Sequence, residues 1–268
     1  MSKAAKSNWP YIAWFLFYFV LFSVLTFGVV LIFYLITVPL AFSPFAEILW
    51  RSISGVRPLR LHREKERLLP LFKEVYLSAV QVEPDLSRKI RLYIKEDMSI
   101  NAYSFGKRTL VLTRGSVEML GDDELKGLIA HEFGHFAHYD TQAILFATVG
   151  NLLMSVIMKL LADVRKQYED KEKLGILQSA FKAIFDLIYY VFRGIGFIGD
   201  LILMNVSREH EYLADIFAIH CGYAGELTNV LLGIYEMSVE KPQSVKEQLR
   251  KTHPPITIRI ERLEKVLY

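Results

Sequence analysis

The sequence is poor in cysteine, and this scarcity excludes two kinds of site. Cys221 is the only cysteine in 268 residues, so neither an intrachain disulfide nor a zinc cluster held by several thiolates can form. We expect Cys221 to be a small apolar packing residue rather than a reactive thiol. The basic residues do not form an aromatic-rich tract, and the net charge is only +3. Nucleic acid is therefore not an expected partner.

The first part of the chain lacks charge altogether. No Asp, Glu, Lys or Arg lies between Ser7 and Ala46, and Tyr11–Val38 is almost wholly apolar. A helix needs about 20 apolar residues to cross the hydrocarbon core, so this run predicts a transmembrane helix. The run exceeds the roughly 7–15 apolar residues of a signal peptide, so we expect it to be retained. Residues 1–50 are thus predicted to form a membrane anchor, and the lipid bilayer is an expected partner.

Patterning after the anchor predicts a domain over residues 51–268. Six Arg or Lys residues lie between Arg51 and Arg67, which is typical of a strip that meets anionic headgroups on the cytoplasmic side. Apolar spacing then predicts alternating helices and short strands. The predicted elements are a helix from near Pro70 to Val80, strands at Ile90–Ile94, Ile100–Phe105 and Thr109–Thr113, and a helix from Asp122 to His138.

An apolar helical hairpin is predicted over residues 141–206. Two long helical stretches are separated by a charged loop from Asp163 to Lys173. Each stretch carries one narrow polar stripe, so the two stripes can face one another inside an antiparallel hairpin that crosses the bilayer. The alternative is an interfacial or soluble amphipathic hairpin, because four charges are many for a spanning helix. Both interpretations remain open at this point.

The segment His131-Glu132-Phe133-Gly134-His135 carries the clearest chemical signal. Histidines four residues apart lie one above the other on a helix, so both imidazoles can bind one ion while the intervening glutamate faces the remaining ligand position. This is the spacing of a zinc site with a carboxylate as general base. The pattern predicts His131 and His135 as metal ligands and Glu132 as the base.

A catalytic zinc site needs a third protein ligand, and a second helix offers a candidate. In Ser207–Asp215, Glu211 and Asp215 stand four residues apart on one helix face. Glu211 can bind the metal, while Asp215 can accept a hydrogen bond from the far nitrogen of a liganding histidine. Glu209 points about 200° away from Glu211 and is not expected to take part.

Taken together, these motifs resemble those of the HtpX-type and CAAX-prenyl-protease-type membrane zinc metallopeptidases. The matching elements occur in the order Asn101-Ala102, HEFGH with Asp140 after it, SREHEYLAD, and His253-Pro254-Pro255 followed by Arg259. The resemblance covers about Arg60 to Leu267. It implies an α+β, mainly helical fold: a zincin-like catalytic domain with a small mixed sheet, joined to the N-terminal transmembrane helix and the apolar hairpin.

The resemblance also implies roles for individual residues. It makes Glu211 the third ligand of one Zn²⁺ per chain and Asp215 the partner of a liganding histidine. Asn101 and Ala102 match an edge strand that pairs with an extended substrate. His253 and Arg259 match residues near the cleft that position substrate or stabilise the oxyanion. The chain is then expected to hydrolyse protein or peptide substrates.

Three functions are compatible with these features. The favoured one is an integral membrane zinc endopeptidase in membrane-protein or misfolded-protein quality control, with its active site in the cytoplasm. If the protein is bacterial, the expected membrane is the inner membrane. A scaffold or chaperone-like protein with a structural zinc is an alternative, although structural sites are usually closed by a fourth protein ligand. A prenyl-protein protease is another, although the chain has too few predicted membrane segments to enclose a chamber. The sequence does not indicate an oligomeric state.

Overall fold

The computed structural model of the chain describes residues 9–25, 35–36, 38–40, 42–169, 175–239 and 254–267. Over these ranges the protein is mainly helical with one small mixed sheet, which confirms this part of the expected fold. The helices are α1 (Trp9–Leu25), α2 (Pro44–Ile53), α3 (His62–Val82), α4 (Arg114–Met119), α5 (Asp122–Ala137), α6 (Asp140–Glu169), α7 (Ile176–His220), α8 (Ala224–Val239) and α9 (Ile256–Leu267). The strands are β1 (Val56–Pro58), β2 (Arg91–Lys95), β3 (Ala102–Phe105) and β4 (Thr109–Thr113).

The sheet has the order β1-β2-β4-β3, so β3 lies at one edge. Strands β2 and β4 are parallel, whereas β1–β2 and β3–β4 are antiparallel. The turn between β3 and β4 contains Gly106, whose φ of 61° is readily adopted by glycine. Strand β4 was predicted to the residue, whereas β2 lies one residue later than predicted, β3 begins two residues later and β1 was not predicted.

One face of the sheet and the helices α3, α5, α8 and α9 enclose the main hydrophobic core. Helix α5 lies at its centre, because Leu125, Ile129 and Phe133 are all fully buried on it. The opposite side of the same helix carries the HEFGH histidines. The core therefore fixes the axial position and rotation of the helix that presents them.

Helix α3 begins at His62, earlier than predicted, and Pro70 lies inside it rather than at its start. The start is fixed by Glu64, whose carboxylate accepts the backbone N–H groups of Arg60 and Leu61. Arg57 binds the same carboxylate through both terminal nitrogens and holds its pKa down at about 2. The predicted start of α3 was wrong because the Glu64 carboxylate, which lies within the charged strip Arg51–Arg67, binds the backbone at the first turn.

The predicted hairpin corresponds to α6 and α7, which pack against each other and against α1. The loop predicted from Asp163 was placed too early, because α6 stays helical to Glu169. Helix α7 is continuous for 45 residues, so the second arm of the hairpin and the segment carrying Glu211 and Asp215 are one helix. The predicted span Tyr11–Val38 falls partly outside the described residues. In the described ranges, no helix is both long and apolar enough to cross a membrane.

Helix α2 packs on the sheet face that carries Tyr93, Tyr103 and Phe105. The Trp50 ring stacks on Phe105 with ring centroids 4.1 Å apart, and the Arg51 guanidinium lies 4.7 Å from the centroid of the Tyr93 ring. This helix crosses residue 50, where the sequence predicted the anchor to end. Residues 44–50, which were predicted to belong to the anchor, therefore lie in a helix that packs directly on the sheet.

Candidate active site

Helix α5 presents the HEFGH side chains from a buried surface. His131 and Glu132 are 5% and 4% exposed, and the two histidine ring centroids are 4.9 Å apart. Candidate ligand atoms of His131, Glu132 and His135 all lie within 4.8 Å of one another. This is the convergence that the four-residue spacing predicted.

Helix α7 brings Glu211 to the same point because it crosses α5 at very short range. A Cβ atom placed on Gly134 would lie 2.6 Å from Ala214 Cα, closer than real atoms approach. Gly134 is thus the place where the two helices touch. Since Ala214 is three residues beyond Glu211, this contact holds Glu211 beside the histidines.

The nitrogen and oxygen atoms are spaced as a tetrahedral metal site requires. His131 Nε2 lies 3.5 Å from Glu211 Oε2, and His135 Nε2 lies 3.6 Å from Glu211 Oε1. Ligands about 2.0–2.2 Å from a tetrahedral zinc ion are separated from one another by about 3.4 Å. Two imidazoles and one carboxylate at these separations fit a divalent zinc ion.

The other nitrogen of His131 is held by a buried carboxylate. Its Nδ1 atom lies 3.0 Å from Asp215 Oδ1. Arg259 binds both oxygens of Asp215, with Nε 2.8 Å from Oδ2 and Nη2 2.6 Å from Oδ1. Arg259 Nη1 also lies 3.0 Å from Glu211 Oε2. These contacts orient His131 so that Nε2 faces Glu211.

His135 has an equivalent partner on the other side. Its Nδ1 atom lies 3.0 Å from Asp140 Oδ2, and the second oxygen of Asp140 lies 3.2 Å from His210 Nδ1. Asp140 reaches back because the chain turns just after α5 ends at Ala137, where Tyr139 adopts a left-handed conformation with φ 61°. Both histidines are therefore directed by carboxylates toward Glu211.

The carboxylates make the pocket attractive to a cation. Burial lowers the pKa of His135, but the hydrogen bond to Asp140 and the charges of Glu211 and Glu132 outweigh it and raise the pKa to about 9. For His131, burial and Arg259 lower the pKa, yet the bonds to Asp215 and Glu211 give a net rise. A site that stabilises protonated imidazoles this strongly also favours a metal cation in place of the protons.

Ser104 on β3 contacts the predicted base. Its hydroxyl donates to Glu132 Oε2 at 2.7 Å and lies 3.3 Å from the Glu132 carbonyl oxygen. Ser104 shares a strand face with Ala102, two residues earlier. The edge strand thus lies directly beside Glu132, and its hydroxyl orients the carboxylate.

The structure distinguishes the two residues predicted to bind substrate. The backbone of Asn101 is engaged inside the fold, because its N–H donates to Thr113 and Ser116 hydroxyls and its C=O accepts from Thr113 N. Antiparallel pairing alternates, so Ala102 and Ser104 direct their backbone groups toward the open edge of β3. Ala102 is positioned to pair with an extended chain, whereas Asn101 has only its exposed side chain available.

The remaining predicted residues have different outcomes. Arg259 is 6% exposed, and its contacts run to Asp215, Glu211 and His131, so its geometry favours a positioning role rather than substrate contact. His253 lies outside the described residues. His210, which sequence spacing assigned to packing or the surface, is 3% exposed and beside Asp140.

Ser104 and His210, which were not predicted as site residues, have only weak signals in the sequence. The alternation of β3 places Ser104 on the face of Ala102, and His210 directly precedes Glu211 in the sequence. Neither signal names its contact, because Glu132 and Asp140 come from other elements. Only the tertiary arrangement identifies these partners.

The close helix contact leads to a prediction for Gly134→Ala. The added methyl group must push α7 away from α5, because it would meet the Ala214 backbone at 2.6 Å. We expect the free energy of unfolding to fall by about 1–3 kcal/mol and Zn²⁺ affinity, measured by calorimetry, to fall by at least ~10-fold. Gly233→Ala is the matched control, since it is also helical but has nothing within 4 Å of the added Cβ. Unchanged Zn²⁺ affinity in Gly134→Ala would contradict the assigned role of the contact.

Comparisons with known proteins agree with the motifs. The profile described as Peptidase family M48 matches residues 71–267. A protease HtpX homolog of Dictyoglomus turgidum is 26% identical over 283 residues, covering 94% of this chain and 88% of the relative. A protease HtpX homolog of Listeria monocytogenes serotype 4a is 31% identical over 205 residues, covering 65% and 67%.

Other relatives are longer than this chain. A protease HtpX homolog of Bacteroides fragilis is 28% identical over 175 residues, covering 62% of this chain and 50% of the relative. The chain therefore spans about half the length of that protein. The crystal structure of S. mikatae Ste24p aligns with a TM-score of 0.56 and 20% identity, covering 97% of this chain and 63% of that one. At this identity the likeness concerns the fold.

Proposed function

The chain belongs to peptidase family M48, and we propose that it is a membrane-anchored, zinc-dependent endopeptidase. The observation that carries the proposal is the approach of both histidine Nε2 atoms to the Glu211 carboxylate, at 3.5 and 3.6 Å. Glu132 lies in the same cluster. Two imidazoles and a carboxylate as ligands, with a second carboxylate beside them as the base, are the parts of a catalytic zinc centre.

We assign His131, His135 and Glu211 as the ligands of one Zn²⁺. When bound, the ion supplies Lewis-acid polarisation of the scissile carbonyl and acidifies water in the remaining position. Asp215 and Asp140 hold the Nδ1 atoms of the histidines, so that both Nε2 atoms can donate their lone pairs to the metal. Arg259 neutralises the Asp215 carboxylate and fixes its orientation.

Glu132 is proposed to carry the proton. It accepts a proton from the attacking water and later returns it to the leaving amine. Ser104 holds the Glu132 carboxylate at the edge strand, so a substrate paired with β3 passes directly beside the base. His253 remains a proposed contributor to substrate positioning.

The open edge of β3 also suggests a substrate class. Pairing with Ala102 and Ser104 uses the backbone of an extended segment, so it recognises an unfolded stretch more readily than a defined sequence. We therefore propose that the substrates are extended segments of membrane or misfolded proteins. The anchor at residues 1–50 and the domain at 51–268 would place cleavage near the bilayer, and the basic strip at Arg51–Arg67 supports a cytoplasmic active site.

The proposal is tested by metal content and metal removal. We expect the purified full chain to contain about one zinc ion and to cleave an unstructured protein such as casein. Treatment with 1,10-phenanthroline should abolish cleavage, and added Zn²⁺ should restore it. Zinc content is measured by atomic absorption and cleavage by gel assay. Full activity in a protein shown to be free of metal would exclude the zinc mechanism, and zinc binding without cleavage would favour the structural-zinc alternative.

A second prediction concerns Ser104→Ala. Loss of a hydrogen bond to a carboxylate corresponds to about 1.5 kcal/mol, so kcat should fall by about 10-fold. KM should change little, because the backbone of Ser104 still forms the open edge. Ser104→Thr keeps the hydroxyl and should recover most of the rate. If Ser104→Thr were as slow as Ser104→Ala, the hydroxyl would not be the group that orients Glu132.

A further inference from the structure

Helix α2 is amphipathic, but its apolar side faces outward and its charged side faces the protein. Its outward side chains are large and apolar: Phe45 is 59% exposed, Ile48 56%, Leu49 48% and Ile53 76%. Its charged residues instead face the protein, and Glu47 is only 6% exposed. A helix dissolved in water normally has the opposite arrangement.

The inward polar side is firmly held, so the orientation of α2 is well determined. The Glu47 carboxylate accepts the Lys107 backbone N–H and lies 3.4 Å from Thr109 Oγ1. Arg51 donates to the same Thr109 hydroxyl at 2.7 Å. Together with the Trp50–Phe105 stack, these contacts join α2 to the β3–β4 turn. Rotation to hide the apolar face would expose or break all of them.

Apolar side chains are also exposed in the described residues that precede α2. Leu35, Ile36 and Leu40 are 64%, 63% and 50% exposed, and α1 exposes Leu16, Phe17 and Val20. The chain is uncharged throughout Ser7–Ala46. Large apolar side chains exposed in several separate segments of an uncharged stretch fit contact with lipid better than the bounded patch of a protein interface.

Charge beside α2 indicates which lipid surface it fits. Lys107, whose backbone N–H binds Glu47, has an exposed side chain, and Arg60 is exposed in the segment that follows α2. Cations next to an apolar helix face are typical of interfacial helices on anionic membranes. We infer that α2 is an interfacial helix whose outward face, Phe45, Ile48, Leu49 and Ile53, inserts into the headgroup and acyl boundary of an anionic bilayer.

Insertion of α2 into the membrane surface would also position the active site. Because Glu47 binds the turn that follows β3, α2 fixes the height of the open edge strand relative to the membrane surface. The inference rests on the proposed membrane anchoring but is independent of zinc and of peptide hydrolysis.

The test uses the full chain with Cys221→Ser, purified in detergent and reconstituted into vesicles of phosphatidylcholine and phosphatidylglycerol. Ile48→Cys is labelled with bimane, and Leu49→Cys is a second reporter in case one variant folds poorly. Met119→Cys is the matched control: it is also 56% exposed, but follows β4 at the opposite end of the sheet from Thr109. Fluorescence is quenched separately by doxyl-labelled lipid and by aqueous iodide.

We expect doxyl lipid to quench the Ile48 and Leu49 labels several-fold more than the Met119 label, and iodide to show the reverse order. Quenching of the Ile48 label by iodide to the level of Met119 overturns the inference. Shielding from both quenchers also overturns it, because the face is then covered by protein. Failure of the protein to float with the vesicles instead refutes anchoring, and none of these outcomes depends on cleavage.

Discussion

Replacing Glu132 with Gln is expected to reduce kcat by about 10²–10⁴-fold, the usual contribution of a general base, while bound zinc remains at the wild-type level. The amide is close in size to the carboxylate and can still meet Ser104, which contacts Glu132 Oε2 at 2.7 Å. It cannot accept a proton from water. The metal should be retained because His131, His135 and Glu211 are unchanged. Cleavage of casein and zinc content are measured on the same preparation.

The retained zinc distinguishes loss of the general base from damage to the metal site. A variant that had lost both metal and activity would report only damage to the site. Cleavage by Glu132→Gln at the wild-type rate would show that another group takes the proton, and the proposed mechanism would be wrong.

Replacing Glu211 with Gln is expected to lower Zn²⁺ affinity by more than about 100-fold, since it removes a charged ligand where altering even the partners of ligands costs about 10–100-fold. The loss should be accompanied by loss of cleavage. The buried Arg259 guanidinium, 3.0 Å from Glu211 Oε2, would also lose an anionic partner, so the free energy of unfolding should fall. Zn²⁺ competition with a chromogenic chelator measures the affinity.

Glu209→Gln provides the matched control. Glu209 lies on the same helix two residues earlier and is exposed, so the same change of charge there should leave Zn²⁺ affinity and cleavage nearly unchanged. Equal effects of the two substitutions would mean that Glu211 acts through the net charge of the helix rather than as a ligand.

The local chemistry of the site was predictable because it depends on helix periodicity. The spacing of His131 and His135 predicts their convergence, and the spacing of Glu211 and Asp215 predicts that both face the same side. The contact that unites the two pairs was not predictable from spacing alone. It depends on the absence of a side chain at Gly134 opposite Ala214, and a single sequence does not reveal which glycine meets which helix.

The orientation of α2 was beyond sequence reasoning for a different reason. The periodicity of residues 44–53 separates an apolar side from a side with Glu47 and Arg51, but it does not say which side faces the protein. In this structure Glu47 finds its partners in the β3–β4 turn, 60 residues away in sequence. Partners so distant reverse the usual expectation that charges face outward.

Helix α7 is one continuous helix, and its close contact with α5 lies near its C-terminal end. The helix is about 67 Å long, and its contact with Gly134 lies at Ala214, only three residues from Glu211 and 38 from Ile176. A tilt of α7 by about 10° about that contact would move the end at Ile176 by about 10 Å but move Glu211 by less than about 1 Å. Rocking of the apolar arm about this contact would therefore barely move the carboxylate that we propose as a metal ligand.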